Sequence, residues 1–232
     1  MRLRLFPIRY IVPGLAATLL PVGMAAQAAT LTVSDSVGPS RTNFTDSVSI
    51  PQFDSSLGDL TNVFIELTGE VTGSIQLESL DAADATVTAN LASEIALQRP
   101  DMTELVVTLP TESIVRDLTS FDGNLDFGGS SGFTENDLSE SDTNSATLTD
   151  PGDLSLFLGS GNLILPVVAT GQSAATGSGN LGAFFNTFAA ANISVTYEYT
   201  ERPTPVPEPG MTLGMLALGG GMLAKRKLKN NA

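Results

Sequence analysis

The 232-residue chain contains no cysteine, no histidine and no tryptophan. Without Cys there are no disulfides and no thiol chemistry. Without His, the commonest general base and the commonest transition-metal ligand are both missing. Lysine occurs only at Lys225, Lys227 and Lys229. A serine nucleophile between residues 29 and 205 would therefore have only carboxylates to serve as its base. Carboxylate pairs hydrolyse glycosides, but with 24 acids in that stretch some pair lies at a suitable separation by chance. There is also no Trp to serve as a sugar platform, and Tyr197 and Tyr199 are the only tyrosines there. The expectation is a protein that is not an enzyme.

Positive charge is scarce as well. Between Ala29 and Pro205, 24 acidic residues stand against Arg41, Arg99, Arg116 and Arg202, a balance of −20. Such a surface repels phosphate backbones, which excludes nucleic acid as a partner. The other basic residues are Arg2, Arg4 and Arg9 at the front, and Lys225, Arg226, Lys227 and Lys229 at the back.

The front has the three parts of a secretory signal peptide. Met1 to Arg9 is basic, Tyr10 to Ala25 is mostly apolar, and Ala26-Gln27-Ala28 supplies small residues in an A-x-A arrangement. Cleavage is expected after Ala28. A lasting membrane anchor fits less well, because Pro13, Gly14 and Pro21 interrupt a run already short for a span.

The middle alternates with period two, the mark of strands with one buried and one wet face. Val63, Ile65, Leu67, Gly69 and Val71 alternate with Phe64, Glu66, Thr68 and Glu70. The same rule holds over Ala85 to Leu97, Leu163 to Ala169 and Ile193 to Thr200. Shorter candidates are Leu31 to Val33, Phe44 to Ile50, Leu105 to Leu109 and Leu154 to Leu158. Phe184 to Ala191 fits a short helix or a strand. Asp122 to Asp153, rich in Gly, Ser, Asp and Asn, is expected as a long loop, and Gly171 to Gly182 as a second loop. About nine or ten strands separated by turn residues point to an all-β fold. An antiparallel, jelly-roll-like β-sandwich over residues 29–201 is expected, with a barrel as the alternative. Arg202 to Pro207 is Pro-rich and forms a stiff linker.

Asp122-Gly123-Asn124-Leu125-Asp126 puts oxygen-bearing side chains at alternate positions, as in calcium loops. Phe127 then stands where such a loop wants Gly, and Phe133 where it wants Glu. The stretch is either a calcium site built on Asp122, Asn124 and Asp126 or an ordinary solvated turn. No other cofactor is expected. Phe53, Phe121, Phe127, Phe133 and Phe157 lie beside Gly- and Asp-rich turns, where they either line a shallow carbohydrate site or cover the ends of the core. Asn43-Phe44-Thr45 and Asn192-Ile193-Ser194 match the N-glycosylation pattern, which is frequent by chance.

The tail has a fixed order: Val206-Pro207-Glu208-Pro209, an apolar run from Gly210 to Ala224, then Lys225-Arg226-Lys227-Leu228-Lys229. It resembles the PEP-CTERM sorting signal of exopolysaccharide-producing bacteria, here over residues 206–229. The resemblance implies recognition by exosortase, a membrane-embedded cysteine transpeptidase, and loss of the apolar tail near Pro207-Glu208-Pro209. Lys225, Arg226, Lys227 and Lys229 would hold that end on the cytoplasmic side. A short C-terminal apolar helix is expected there, as a transient anchor because about 15 residues fall short of a full span. The middle resembles the choice-anchor E domain, through Phe53 to Val63, Asp126 to Gly132, Phe157 to Gly161 and Ile193 to Thr200. That likeness implies a surface-displayed domain and carries no catalytic residues. Together these readings imply an exported protein, handled by the secretion machinery and sited in the extracellular polysaccharide layer. A carbohydrate- or calcium-binding module is the rival reading.

Overall fold

The computed structural model describes residues 27–177 and 179–202. Of the expected signal peptide, residues 1–26 lie outside them, as do the tail beyond Arg202 and its expected apolar helix. The described chain is all-β and antiparallel. In order it forms β1 (Ala28–Arg41), β2 (Phe44–Pro51), β3 (Gly58–Ser79), β4 (Ala85–Gln98), β5 (Glu104–Thr108), β6 (Thr111–Leu118) and β7 (Gly132–Leu148). A short helix α1 (Pro151–Leu156) follows, then β8 (Asn162–Gly171), β9 (Ala174–Thr176) and β10 (Leu181–Glu201).

The pairing is nested like a folded hairpin. The outermost strands β1 and β10 pair, then β2 with β8, β3 with β7, and β4 with β5 and β6. Pairing of β10 with β3 completes a four-stranded sheet, β1-β10-β3-β7, and pairing of β8 with β4 completes a six-stranded one, β2-β8-β4-β5 with β6 and β9 also paired to β4. No ladder joins the two sheets among the described residues, so the sheets stay open and do not close into a barrel.

Alternation decides what lies between the sheets. Ile65 and Leu67 of β3 and Ile193, Val195 and Tyr197 of β10 meet Ile95 and Leu97 of β4 and Leu165 and Val167 of β8 in one buried cluster. A smaller cluster holds Val71, Ile75 and Leu77 against Val87, Ala89, Leu91 and Ile114. Between them the inward positions are small or polar: Gly69, Ser93 and Thr108. A Cβ on Gly69 would collide with Thr108 Oγ1, so this glycine lets the sheets approach at their waist.

Three expectations are corrected. Asp122 to Asp153 is not one loop, because β7 occupies 17 residues of it. β7 is an edge strand, and its inward side chains Asp142 and Asn144 are polar because they bond the backbone of the facing sheet. Asp142 Oδ2 accepts from Leu109 N at 2.9 Å and Asn144 Nδ2 donates to Val107 O at 2.9 Å. The Gly171 to Gly182 loop is shortened by β9 and by the start of β10, and Phe184 to Ala191 is strand throughout. Leu154 to Leu158 is not a strand. Asp150 and Pro151 start the helical turn α1, a position where proline's missing N–H costs nothing, and Leu154 is its buried anchor. β6 was not foreseen: its buried Ile114 and Leu118 stand four apart, a helical spacing, and Pro110 separates it from β5.

Candidate functional site

The two ends of the sandwich are built differently. At one end Phe53 and Phe157 are fully buried. Phe53 lies 5.7 Å from the Tyr197 ring and 4.9 Å from Tyr199, and Phe157 lies 6.3 Å from Tyr197. Phe53 N donates to Phe157 O at 2.8 Å, Gly159 N donates to Phe53 O at 3.1 Å, and the Tyr197 hydroxyl donates to Pro51 O at 2.7 Å. Burial pushes the Tyr197 phenol up to about 12. The Ser56 N–H holds the neighbouring Asp54 carboxyl below the usual carboxylate range. Three of the four segments that carry the choice-anchor likeness therefore converge here, and these two phenylalanines are core.

At the other end, Thr119 to Ser131 folds over the outer face of the four-stranded sheet. Its anchor is Glu78 of β3, an outward-facing carboxylate that the loop buries completely. Glu78 Oε2 accepts from Phe127 N at 2.7 Å and Oε1 from the Ser131 hydroxyl at 2.6 Å. A buried carboxylate is costly unless bonded, and charge-assisted bonds of this kind are the strong ones. Gly132 lies against the same carboxylate, where a Cβ would collide with Glu78 Oε2. Further bonds run from Phe121 N to Asp81 O, 2.7 Å, and from Ser120 N to Asp84 Oδ1, 2.9 Å.

The three candidate calcium ligands lie in this loop. Asp122 Oδ1 accepts from Asn124 N at 2.9 Å, and Asp126 Oδ1 from Gly128 N at 3.0 Å. Each carboxylate thus commits an oxygen to turning its own backbone. Among the described residues no three or more carboxylates gather closely enough to hold a metal ion. Phe127 adopts φ 54°, the left-handed region that the calcium pattern reserves for Gly. Its ring meets Phe184 of β10 edge-on at 5.3 Å. Phe133 is half-buried against the smaller core cluster, and Phe121 is at the edge of exposure.

Phe184 was missed in sequence because its stretch fitted helix and strand alike. Yet it is 62% exposed, more than any other phenylalanine named here. Beside it the outer sheet face holds a hollow of about 460 Å³, lined by Thr72, Ser74, Asn136, Ser139, Asn186 and Phe188 among others. A β-bulge shapes it: Gly73 pairs with Leu138 but Ile75 with Glu135, so β7 carries an extra residue opposite Ser74. A Cβ on Gly73 would collide with Asn186 O, and Asp137 takes φ 56° in the bulge.

Of the remaining sequence candidates, Asn43 Oδ1 accepts from Gly171 N at 2.6 Å, and Asn192 lies in mid-β10 facing out. Ala28 opens β1, paired with Thr200. Ala26, Val206, Pro207, Glu208, Pro209, Lys225, Arg226, Lys227 and Lys229 lie outside the described residues. No helix among the described residues is long and apolar enough to cross a membrane.

No protein-family model matches the chain, and no curated protein matches it. Solved structures of viral particles show a distant likeness. The infectious bursal disease virus Gx strain is 14% identical over 92% of this chain and 52% of that one, at a TM-score of 0.21. The VP2 subviral particle of the same virus is 15% identical over 92% and 54%, at 0.22. Desmodium yellow mottle tymovirus is 9% identical over 89% and 100%, at 0.22. The chain spans about half the length of the bursal-virus proteins it matches. At these TM-scores the likenesses carry no argument about function.

Proposed function

We propose that this is an exported surface or matrix protein, processed at a PEP-CTERM tail and structural or adhesive in an extracellular polysaccharide layer. The observation that carries the reading is the order of segments: a basic, apolar, A-x-A front, a strand-rich acidic middle, then Val206-Pro207-Glu208-Pro209, an apolar run and a basic end. The nested strand order supports a jelly-roll β-sandwich as the displayed part. A cut after Ala28 removes one residue pair from β1 and leaves the rest of the strand intact. Exosortase then acts on a tail that follows β10 and a Pro-rich stretch in the sequence. The protein catalyses nothing itself. Calcium gains no support from Asp122 and Asp126, each of which gives one oxygen to its own turn.

The test is processing in the native host. Replacing Pro207-Glu208-Pro209 by alanines is expected to leave a longer, membrane-retained chain. Equal mass and location for the wild-type and altered chains would overturn the reading.

A further inference from the structure

We infer that β10 is a load-bearing strand: a pull on the tail is resisted in shear along its whole length, whereas a pull between the front and the tail peels β1 away. The inference deepens the proposed function, on which it rests for the tail as the end by which the chain is held.

The places where the two chain ends meet the sheet decide this. The front enters through β1, an edge strand with a ladder on one side, and the tail follows β10, an inner strand. All 21 residues of β10 have partners in β3, from Leu181↔Ser79 to Glu201↔Gly58. β1 pairs along the other side, from Ala28↔Thr200 to Arg41↔Phe188. At 22 and 21 residues, β3 and β10 are the two longest strands among the described residues. The bonds of an antiparallel ladder run across the strands. With the body held at the far end, force along β10 towards the tail therefore shears both ladders at once. One backbone bond contributes little net free energy, so strength lies in the number that must fail together.

Side chains add to the grip. Ala189, Ala191, Ile193, Val195 and Tyr197 alternate into the core and are buried, so sliding β10 would drag them across a close-packed interior. Where the chain leaves the sheet, the Tyr197 hydroxyl donates to Pro51 O and the Tyr199 ring packs on Phe53. Arg202 donates to Asp59 Oδ1 from Nε at 3.3 Å and from its terminal nitrogen at 2.8 Å.

The front has the opposite geometry. Gln27 O accepts from Glu201 N at 3.0 Å, and Ala28 lies opposite Thr200, so the two chain ends leave side by side. Pulling them apart acts across the strands and opens the β1–β10 ladder one pair at a time. β1 also buries only Val37 fully, so little packing opposes the peel. A cut after Ala28 frees this weak end and leaves β10 as the path by which force enters the domain.

Single-molecule force spectroscopy on the full chain tests this. The chain has no Cys, so two introduced cysteines are unique handles. Thr204→Cys with Ala83→Cys grips the tail and the exposed turn between β3 and β4, at the far end of the β3–β10 ladder. Thr204→Cys with Gln27→Cys grips the tail and the front. Matching melting curves for the two variants check that both are folded. At one loading rate, the tail and far-end pair is expected to rupture at no less than about twice the force of the tail and front pair, since forced unfolding reports the unfolding barrier. The tail and front pair is expected to show a short first extension, the release of β1, before the rest opens. Equal forces, a higher force for the tail and front pair, or stepwise release of β10 from the tail would overturn the inference. A chain processed at the surface with equal forces overturns this inference alone. A chain with the expected forces that is never processed overturns the delivery reading alone.

Discussion

The sandwich has one sealed end and one latched end, and the two are held by different forces. At the sealed end Phe53, Phe157 and Tyr197 are fully buried, and the Tyr197 hydroxyl donates to Pro51 O. At the latched end Leu125 is 61% exposed and Phe184 62%, against 46% for Leu57 and 39% for Leu158 at the sealed end. What holds that end down is a carboxylate, Glu78, through two charge-assisted bonds. Burial of rings is worth several kcal/mol and is hard to undo, whereas a hydrogen-bonded latch is worth less and acts locally. The fold can thus keep a rigid body and still expose an aromatic side chain at one end.

The contrast is broken most directly by Phe157→Ala. Loss of a fully buried ring is expected to cost about 3–5 kcal/mol in urea unfolding, as one global transition. A change under ~1 kcal/mol would show that the sealed end does not carry the fold.

Raised pH attacks the same end. The neutral Tyr197 hydroxyl donates to Pro51 O, and burial pushes its ionisation up to about 12. Its contribution is complete below the unfolded value near 10 and is lost as pH climbs from 10 towards 12. The full loss is about 3 kcal/mol. Tyr197→Phe is expected to be less stable at neutral pH by about 1 kcal/mol, yet to lack this alkaline decline. An identical decline in the variant would assign it to other groups.

At the latched end, Glu78→Gln removes the charge and gives one of the two donors an amide that cannot accept from it. About 1–3 kcal/mol is expected locally. Hydrogen exchange should quicken at Phe121 and Phe127 while the strands stay protected. Uniform loss of protection through β3 and β10 would erase the distinction between the two ends. Phe184→Ala gives the smallest effect, within about 0.5 kcal/mol, because the ring is mostly exposed and its packing is on the Phe127 ring of the loop.

Much of the fold was legible because burial imposes a period of two. β3, β4, β8 and most of β10 show it, and each has one face in the core. β7 escaped because it lies at an edge, where Asp142 and Asn144 bond a neighbouring backbone instead of filling a core. A fainter signal was present. Ser139, Ser141, Thr143, Ser145 and Thr147 also alternate, as a hydroxyl row on the outer face. The latch was illegible, since nothing in the spacing of Glu78 and Ser131 says that they meet across 53 positions. The calcium-like pattern of Asp122, Asn124 and Asp126 was visible for a simpler reason: the residues that bend a loop are also those that ligate calcium.

Intact-mass analysis of the protein from its native host tests the central claim most directly. The expected mature chain begins at Ala29 and ends near Pro207-Glu208-Pro209, well below the 24.1 kDa of the full sequence. A chain of the full 24.1 kDa, with its front and its tail in place, would contradict the account.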